Sequence, residues 1–230
     1  MIVNVKFEES TSEIPVRFDD LQIITNGVPP EEVDKLVADA ERKGHETGKQ
    51  EAVENLPAGY VKVDPAWTAF DQFCYARPSM IKNLKYSDTE NGTRFLAAFS
   101  TITYHTTNED VVVPRLDYRN GQIFTNMFIY SDRIVEIGEM DISNATSTSN
   151  MFNGCTGLKK ILFVKGCIKL SMNFTYCRLL DDASIQSIID GLADMTGKTA
   201  QTLSFHADVG AKLTEAQKAA ITAKNWTLVY

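Results

Sequence analysis

The chain has 230 residues, 43% hydrophobic and 23% charged, with a formal net charge of −7 at pH 7 and a pI of about 5.0. That is the composition of a globular chain long enough to bury a core, and its acidic balance leaves no basic surplus for neutralising phosphates, which sets nucleic acid aside as a partner. No run approaches the roughly 18 apolar residues of a membrane span, and the start M-I-V-N-V-K-F-E-E-S lacks the basic and apolar regions of a secretory signal. The expectation is therefore a protein made in a cytoplasm, neither exported nor inserted in a membrane.

Residues 2–25 alternate with period two: Val3, Val5 and Phe7 on one face, then Ile14, Val16 and Phe18, which predicts two short strands, the second continued over 21–25. Asn26, Gly27, Pro29 and Pro30 punctuate the chain, and residues 31–55 turn polar and helix-forming. A helix with only Val33, Leu36, Val37, Ala40 and Ala52 apolar buries little alone, so it docks on something or associates with copies of itself. Residues 56–62 (L-P-A-G-Y-V-K) look like a linker.

Beyond the linker a repeat appears. Phe128, Phe152 and Phe174 are 24 and 22 residues apart; three residues after each stand Ser131, Cys155 and Cys177, and six after each stand Ile134, Leu158 and Leu180. Phe99 and Phe73 extend the spacing upstream, with Ile102 and Ala76 at the cysteine position. A period of 20–29 residues with apolar positions at fixed offsets predicts stacked turns, each contributing a short strand, with equivalent residues forming ladders roughly 4.8 Å apart. The tail supplies a cap: a helix over 183–195 started by Asp181 or Asp182, a strand over 201–205, a second helix opened by the capping box Thr214-x-x-Gln217, and a last strand over 226–230.

On M-F-N-G-C-T-G-L-K-K-I (151–161) and N-F-T-Y-C-R-L-L (173–180) the sequence resembles the BspA-like leucine-rich-repeat family, whose repeat carries A-F-x-x-C-x-x-L-x-x-I. Residues 183–230 resemble the terminal unit of proteins encoded in tail modules of phages of Gram-positive gut bacteria, and G-H-E-T-G-K-Q at 44–50 resembles an element of their N-terminal helices. The resemblance implies an α+β fold: an attachment and oligomerisation module of two strands and one helix (1–56), a leucine-rich-repeat solenoid (57–180) and an α/β cap (181–230). It further implies a phage virion structural protein of the tail tip, baseplate or fibre, a homotrimer joined to other virion proteins through residues 1–56. Host adhesion, to a cell-surface glycan or protein, would use the repeat surface. The alternatives are a capsid-bound or tail architectural protein without receptor binding, and a cellular leucine-rich-repeat adhesin.

Little chemistry is expected, and no enzyme activity, cofactor or metal. Two near-misses to the phosphate-binding P-loop, at 44–49 and 191–199, have three and five residues between glycines where four are needed; at the second a helix precedes Gly197, which reads as its C-cap. His45, His105 and His206 lack metal-ligand spacing, and none of Cys74, Cys155, Cys167 and Cys177 forms a C-x-x-C pair. Cys155 and Cys177 are either small packed thiols or a pair facing each other at disulfide distance. Glu109-Asp110 and Asp181-Asp182 would act as a glycosidase pair only across a cleft, and the sequons at Asn91, Asn144 and Asn173 read as chance without a secretory signal. The candidate partner-binding side chains are Tyr118, Arg119, Tyr130, Arg133, Tyr176 and Arg178, residue types enriched in binding hot spots. The candidate structural ladder is Phe128, Phe152, Phe174, Cys155, Cys177, Ile134, Leu158 and Leu180.

Overall fold

The computed structural model describes residues 2–6, 13–17, 22–24, 61–63, 66–82 and 84–230. The chain divides into two compact units, Met1–Trp67 and Thr68–Tyr230. In the first, β1 (Ile2–Lys6) pairs antiparallel with β2 (Glu13–Arg17), Val3 opposite Val16 and Val5 opposite Ile14, where the alternating pattern places strands. A third strand, β3 (Gln22–Ile24), pairs antiparallel with β4 (Val61–Val63), so Val61 and Lys62 belong to a strand and not to a linker. The helix expected over 31–55, with its seam of Val33, Leu36 and Ala40, lies outside the described residues, as do 56–60 of the linker.

The second unit is α+β. Its first sheet is parallel: β5 (Val111–Val113), β6 (Ile134–Met140) and β7 (Lys160–Phe163), with Val113 level with Ile137 and Ile137 with Ile161. The second, also parallel, runs in the order β10 (Trp226–Val229), β9 (Gln201–Phe205), β8 (Met172–Phe174). Four short helices are described: α1 (Pro78–Ile81), α2 (Asp182–Gly191), α3 (Ala207–Gly210) and α4 (Glu215–Ala223). Both longer helices start where their sequence says. Asp181 Oδ1 accepts from Ser184 N at 2.8 Å to cap α2, and at α4 the Thr214 hydroxyl and the Gln217 amide cap each other's backbone N–H groups.

The leucine-rich-repeat, BspA-like solenoid expected over 57–180 is not what forms. Instead of one continuous strand ladder there are two separate three-stranded parallel sheets with short helices. The reason lies at the outer edge of β7. There α2 takes the place of a further strand: Ile161 N donates to Ser184 Oγ (3.0 Å) and Phe163 N to Ser187 Oγ (2.9 Å), while β8 turns away to pair with β9. Helix hydroxyls thus satisfy an edge that would otherwise invite another strand.

Upstream of β8, which carries Phe174, the segments carrying the aromatic repeat are not strands either. Each is a ribbon of overlapping turns, as in Met127 N to Phe124 O, Ile129 N to Asn126 O and Ser131 N to Phe128 O, and alternate N–H groups reach the next segment. Phe99 N donates to Met127 O (2.8 Å) and Phe128 N to Met151 O (3.0 Å). Each ribbon holds two residues at positive φ four positions apart: Gln72 and Ala76, Ala97 and Thr101, Asn126 and Tyr130, Asn150 and Gly154. Those are left-handed positions that extended strands do not contain. The pairs bracket Phe99, Phe128 and Phe152, and in the first ribbon they bracket Cys74. Phe73 is therefore not the equivalent residue; the upstream register is off by one.

The core is an aromatic stack. Ring centroids lie 5.6 Å apart for Phe99 and Phe128, 5.6 Å for Phe128 and Phe152, 4.8 Å for Phe152 and Phe174, and 5.9 Å for Phe174 and Phe205. A second stack, Phe70, Phe95 and Phe124, runs beside it at 5.3 and 5.4 Å. All eight rings are buried, and each contributes about 1.5–3 kcal/mol by leaving water. Ile134, Leu158 and Leu180 are buried at equivalent places, since Lys159 N donates to Val135 O and Asp181 N to Lys159 O. Gly197 stands at positive φ in a turn beyond α2, not at its C-cap, which is Leu192 in extended conformation.

Candidate functional site

The six side chains singled out by residue type separate into two groups. Tyr118 is 1% exposed, its ring edge-on to Phe95 and Phe124 and its hydroxyl without a hydrogen-bond partner; it is core, not a surface contact. Arg119 neutralises a carboxylate that the fold has buried. Its Nε and Nη2 donate to Asp117 Oδ1 (2.9 Å) and Oδ2 (2.6 Å), and this hydrogen bond above all holds the Asp117 carboxyl below the usual carboxylate range against the cost of desolvation. Arg133 straps a loop by donating to Asn108 O (2.6 Å) and Glu109 O (3.3 Å) and pairing with Asp110. Tyr130 is exposed, its ring beside Gly154, where a Cβ would crowd it.

Tyr176, Arg178 and Arg133 meet in a cleft of about 650 Å³. It crosses five successive segments of the second unit: Tyr104; Asp132 and Arg133; Thr156 and Gly157; Thr175, Tyr176 and Arg178; and His206. Gly157 is among the lining residues. A Cβ there would overlap the Asp132 carbonyl oxygen, so only glycine allows the two segments to lie this close. Tyr104 and Tyr176 are exposed, and the Tyr104 ring is backed by His105 with centroids 3.8 Å apart. His206 caps α3: its Nδ1 accepts from Asp208 N at 3.1 Å, which leaves the proton on Nε2. Arg178 makes no hydrogen bond or ion pair among the described residues, and Asp132 Oδ1 is buried without a partner.

Tyr104, Asp132, Thr156, Gly157, Thr175 and His206 escaped the reading by residue type. Four of them follow from the repeat itself. Counting four and five residues on from Phe99, Phe128 and Phe152 gives Tyr104, Asp132, Arg133, Thr156 and Gly157, and four on from Phe174 gives Arg178. The cleft is thus a column of the repeat, and its varied side chains are the signal.

The cysteines are packing residues. All four are free and buried, which decides against a Cys155–Cys177 disulfide. Burial pushes the Cys155 thiol up to about 12 and the Cys167 thiol to about 11, leaving no thiolate nucleophile at neutral pH. Asn144, read as a sequon, donates its side-chain amide to Arg119 O, and Asn120 one segment earlier donates likewise to Glu90 O. Among the described residues no three His, Cys, Asp or Glu side chains gather as a metal site, and no helix is long and apolar enough to cross a membrane. No family model, no curated protein and no solved structure matches the chain.

Proposed function

We propose that this chain is a phage virion structural protein that adheres to the host surface through residues 68–230. The cleft carries the reading. It is concave, spans several segments of a rigid aromatic core, and presents two exposed tyrosines with an unpaired arginine, the equipment of a recognition site. The virion assignment rests on the resemblance of residues 183–230 to terminal units encoded in phage tail modules. Several copies on one particle would multiply weak single contacts by effective concentration.

Labelled full-length protein on a panel of Gram-positive gut bacteria tests the adhesion, with antibody labelling of purified particles to test the location. Adhesion lost in Tyr176→Ala and Arg178→Ala supports the proposal. Particle labelling without adhesion to any strain points to an architectural role, and absence from particles overturns the virion reading.

A further inference from the structure

The cleft's side chains divide by chemistry. Tyr104 and Tyr176 are exposed aromatic rings, and the His105 ring centroid lies 3.8 Å from that of Tyr104. A saturated ring in its chair form offers a face of C–H groups that packs on such a surface, and the hydroxyls at its edge then need hydrogen-bond partners. Those are at hand: the hydroxyl of Thr156, the carboxylate of Asp132, the Nε2 proton of His206, and the Thr175 hydroxyl as an acceptor only, since it donates to Asn173 Oδ1. Of the Asp132 carboxylate, Oδ1 is buried without a partner.

The arginines decide the charge of the ligand. Arg133 lies in the wall but is committed to Asp110 and two carbonyls, so its charge is already answered. Arg178 is exposed, and nothing among the described residues pairs with it. A guanidinium presents a planar fork of donors that matches a carboxylate or phosphate with two parallel hydrogen bonds. In a chain with a net charge of −7, an arginine left unpaired in a cleft stands out against the general repulsion of anions.

Resting on the adhesion reading, we infer that the cleft binds an anionic glycan: sugar rings lie on Tyr104 and Tyr176, hydroxyls bond to Asp132, Thr156 and His206, and the acidic group is held by Arg178. At about 650 Å³ the cleft is in the range of small-ligand sites, so it takes a short stretch of a polymer and not a protein surface.

The test is calorimetric titration of the full-length chain with oligogalacturonate, oligoglucuronate, sialyllactose and a glycerol-phosphate-substituted oligosaccharide, each beside its neutral counterpart. Carboxylated and phosphorylated probes distinguish the two sources of charge. The expected result is binding of at least one acidic probe, weakened about tenfold or more by Arg178→Ala and by Tyr176→Ala, and unchanged by Tyr75→Ala, an exposed tyrosine outside the cleft. Arg178→Lys should recover only part of the loss, because an ammonium does not fork. Equal binding of neutral counterparts, insensitivity to the cleft variants, or no binding of any probe overturns the inference. Adhesion to bacteria that acidic probes do not compete leaves the adhesion reading standing while the glycan inference falls; absence of adhesion with acidic-probe binding does the reverse.

Discussion

The thiol of Cys155 donates to the carbonyl oxygen of Phe128 at 3.0 Å, and one segment earlier the hydroxyl of Ser131 makes the equivalent bond to Phe99 at 2.8 Å. Serine and cysteine thus do the same work: a small donor three residues after the stacked ring of Phe128 or Phe152 ties that segment to the one before. Cys155→Ser is expected to change stability by no more than about 1 kcal/mol, since the hydrogen bond is kept. Cys155→Leu overpacks the same place and is expected to cost about 1–3 kcal/mol. Urea denaturation midpoints separate the two.

Gly121 and Phe124 form a matched pair. A Cβ on Gly121 would overlap the Phe124 ring, and Gly92 stands in the same relation to Phe95; one segment on, the corresponding residues are Ala145 and Thr148, where no ring needs the space. Gly121→Ala is expected to destabilise the protein by about 1–3 kcal/mol. The double variant Gly121→Ala with Phe124→Thr should cost less than the sum of its parts, measured as a thermodynamic cycle.

Tyr118 buries its hydroxyl without a partner, and burial raises its phenol pKa well above the ordinary value. Tyr118→Phe keeps the ring contacts and removes the unsatisfied group, so stability is expected to hold or rise, by up to about 1–3 kcal/mol. Thermal denaturation of the two proteins decides it; a marked loss would show that the hydroxyl has a role.

Lys224 reaches back to the end of α2, its Nζ donating to Ile189 O (2.8 Å) and Leu192 O (2.9 Å). A cation there satisfies free carbonyls and opposes the negative end of the helix dipole. Burial lowers its pKa first, with Asp190 acting the other way. Lys224→Met is expected to cost up to about 2 kcal/mol, read from denaturant unfolding. Amide exchange at the α2 C-terminus should rise more than in β6.

Asp117 makes stability depend on acid. Its folded pKa lies below the unfolded value of about 3.9. Its contribution is therefore present above that value and lost as pH falls through the folded one. Asp88 has the opposite sign: burial raises its carboxyl despite the Lys85 N–H and charge, so its contribution is full below the unfolded value and declines as pH rises through the folded one. Unfolding measured between pH 2 and 7 should show a shallower acid loss in Asp117→Asn than in the parent, together with lower stability at pH 7 because Arg119 loses its counter-charge.

The parts read correctly from sequence were those whose partners are close in the chain or repeated at a constant interval. Asp181 and Thr214 open helices because each side chain meets a backbone N–H three residues on. The Phe128, Phe152 and Phe174 stack was visible because 24 and 22 residues bring like residues into register. The second stack, Phe70, Phe95 and Phe124, could have been found from the same period, but the upstream segments hid it behind a one-residue shift from Cys74 to Phe73.

The sequence by itself determined the helix starts, the strands β9 and β10 and the aromatic period, all of them consequences of short-range hydrogen bonding or periodic burial; whether Cys155 and Cys177 are bonded it left open. Only the tertiary structure decided that the sheets are two and separate, that Ser184 and Ser187 close the edge of β7, that Tyr118 is core, and that Gly157 lies against Asp132 in a cleft shared with two exposed tyrosines. Those depend on which groups compete for one backbone edge or one volume across 20 or more residues, as Ile161 N does in choosing Ser184 Oγ. A local pattern carries no record of that competition.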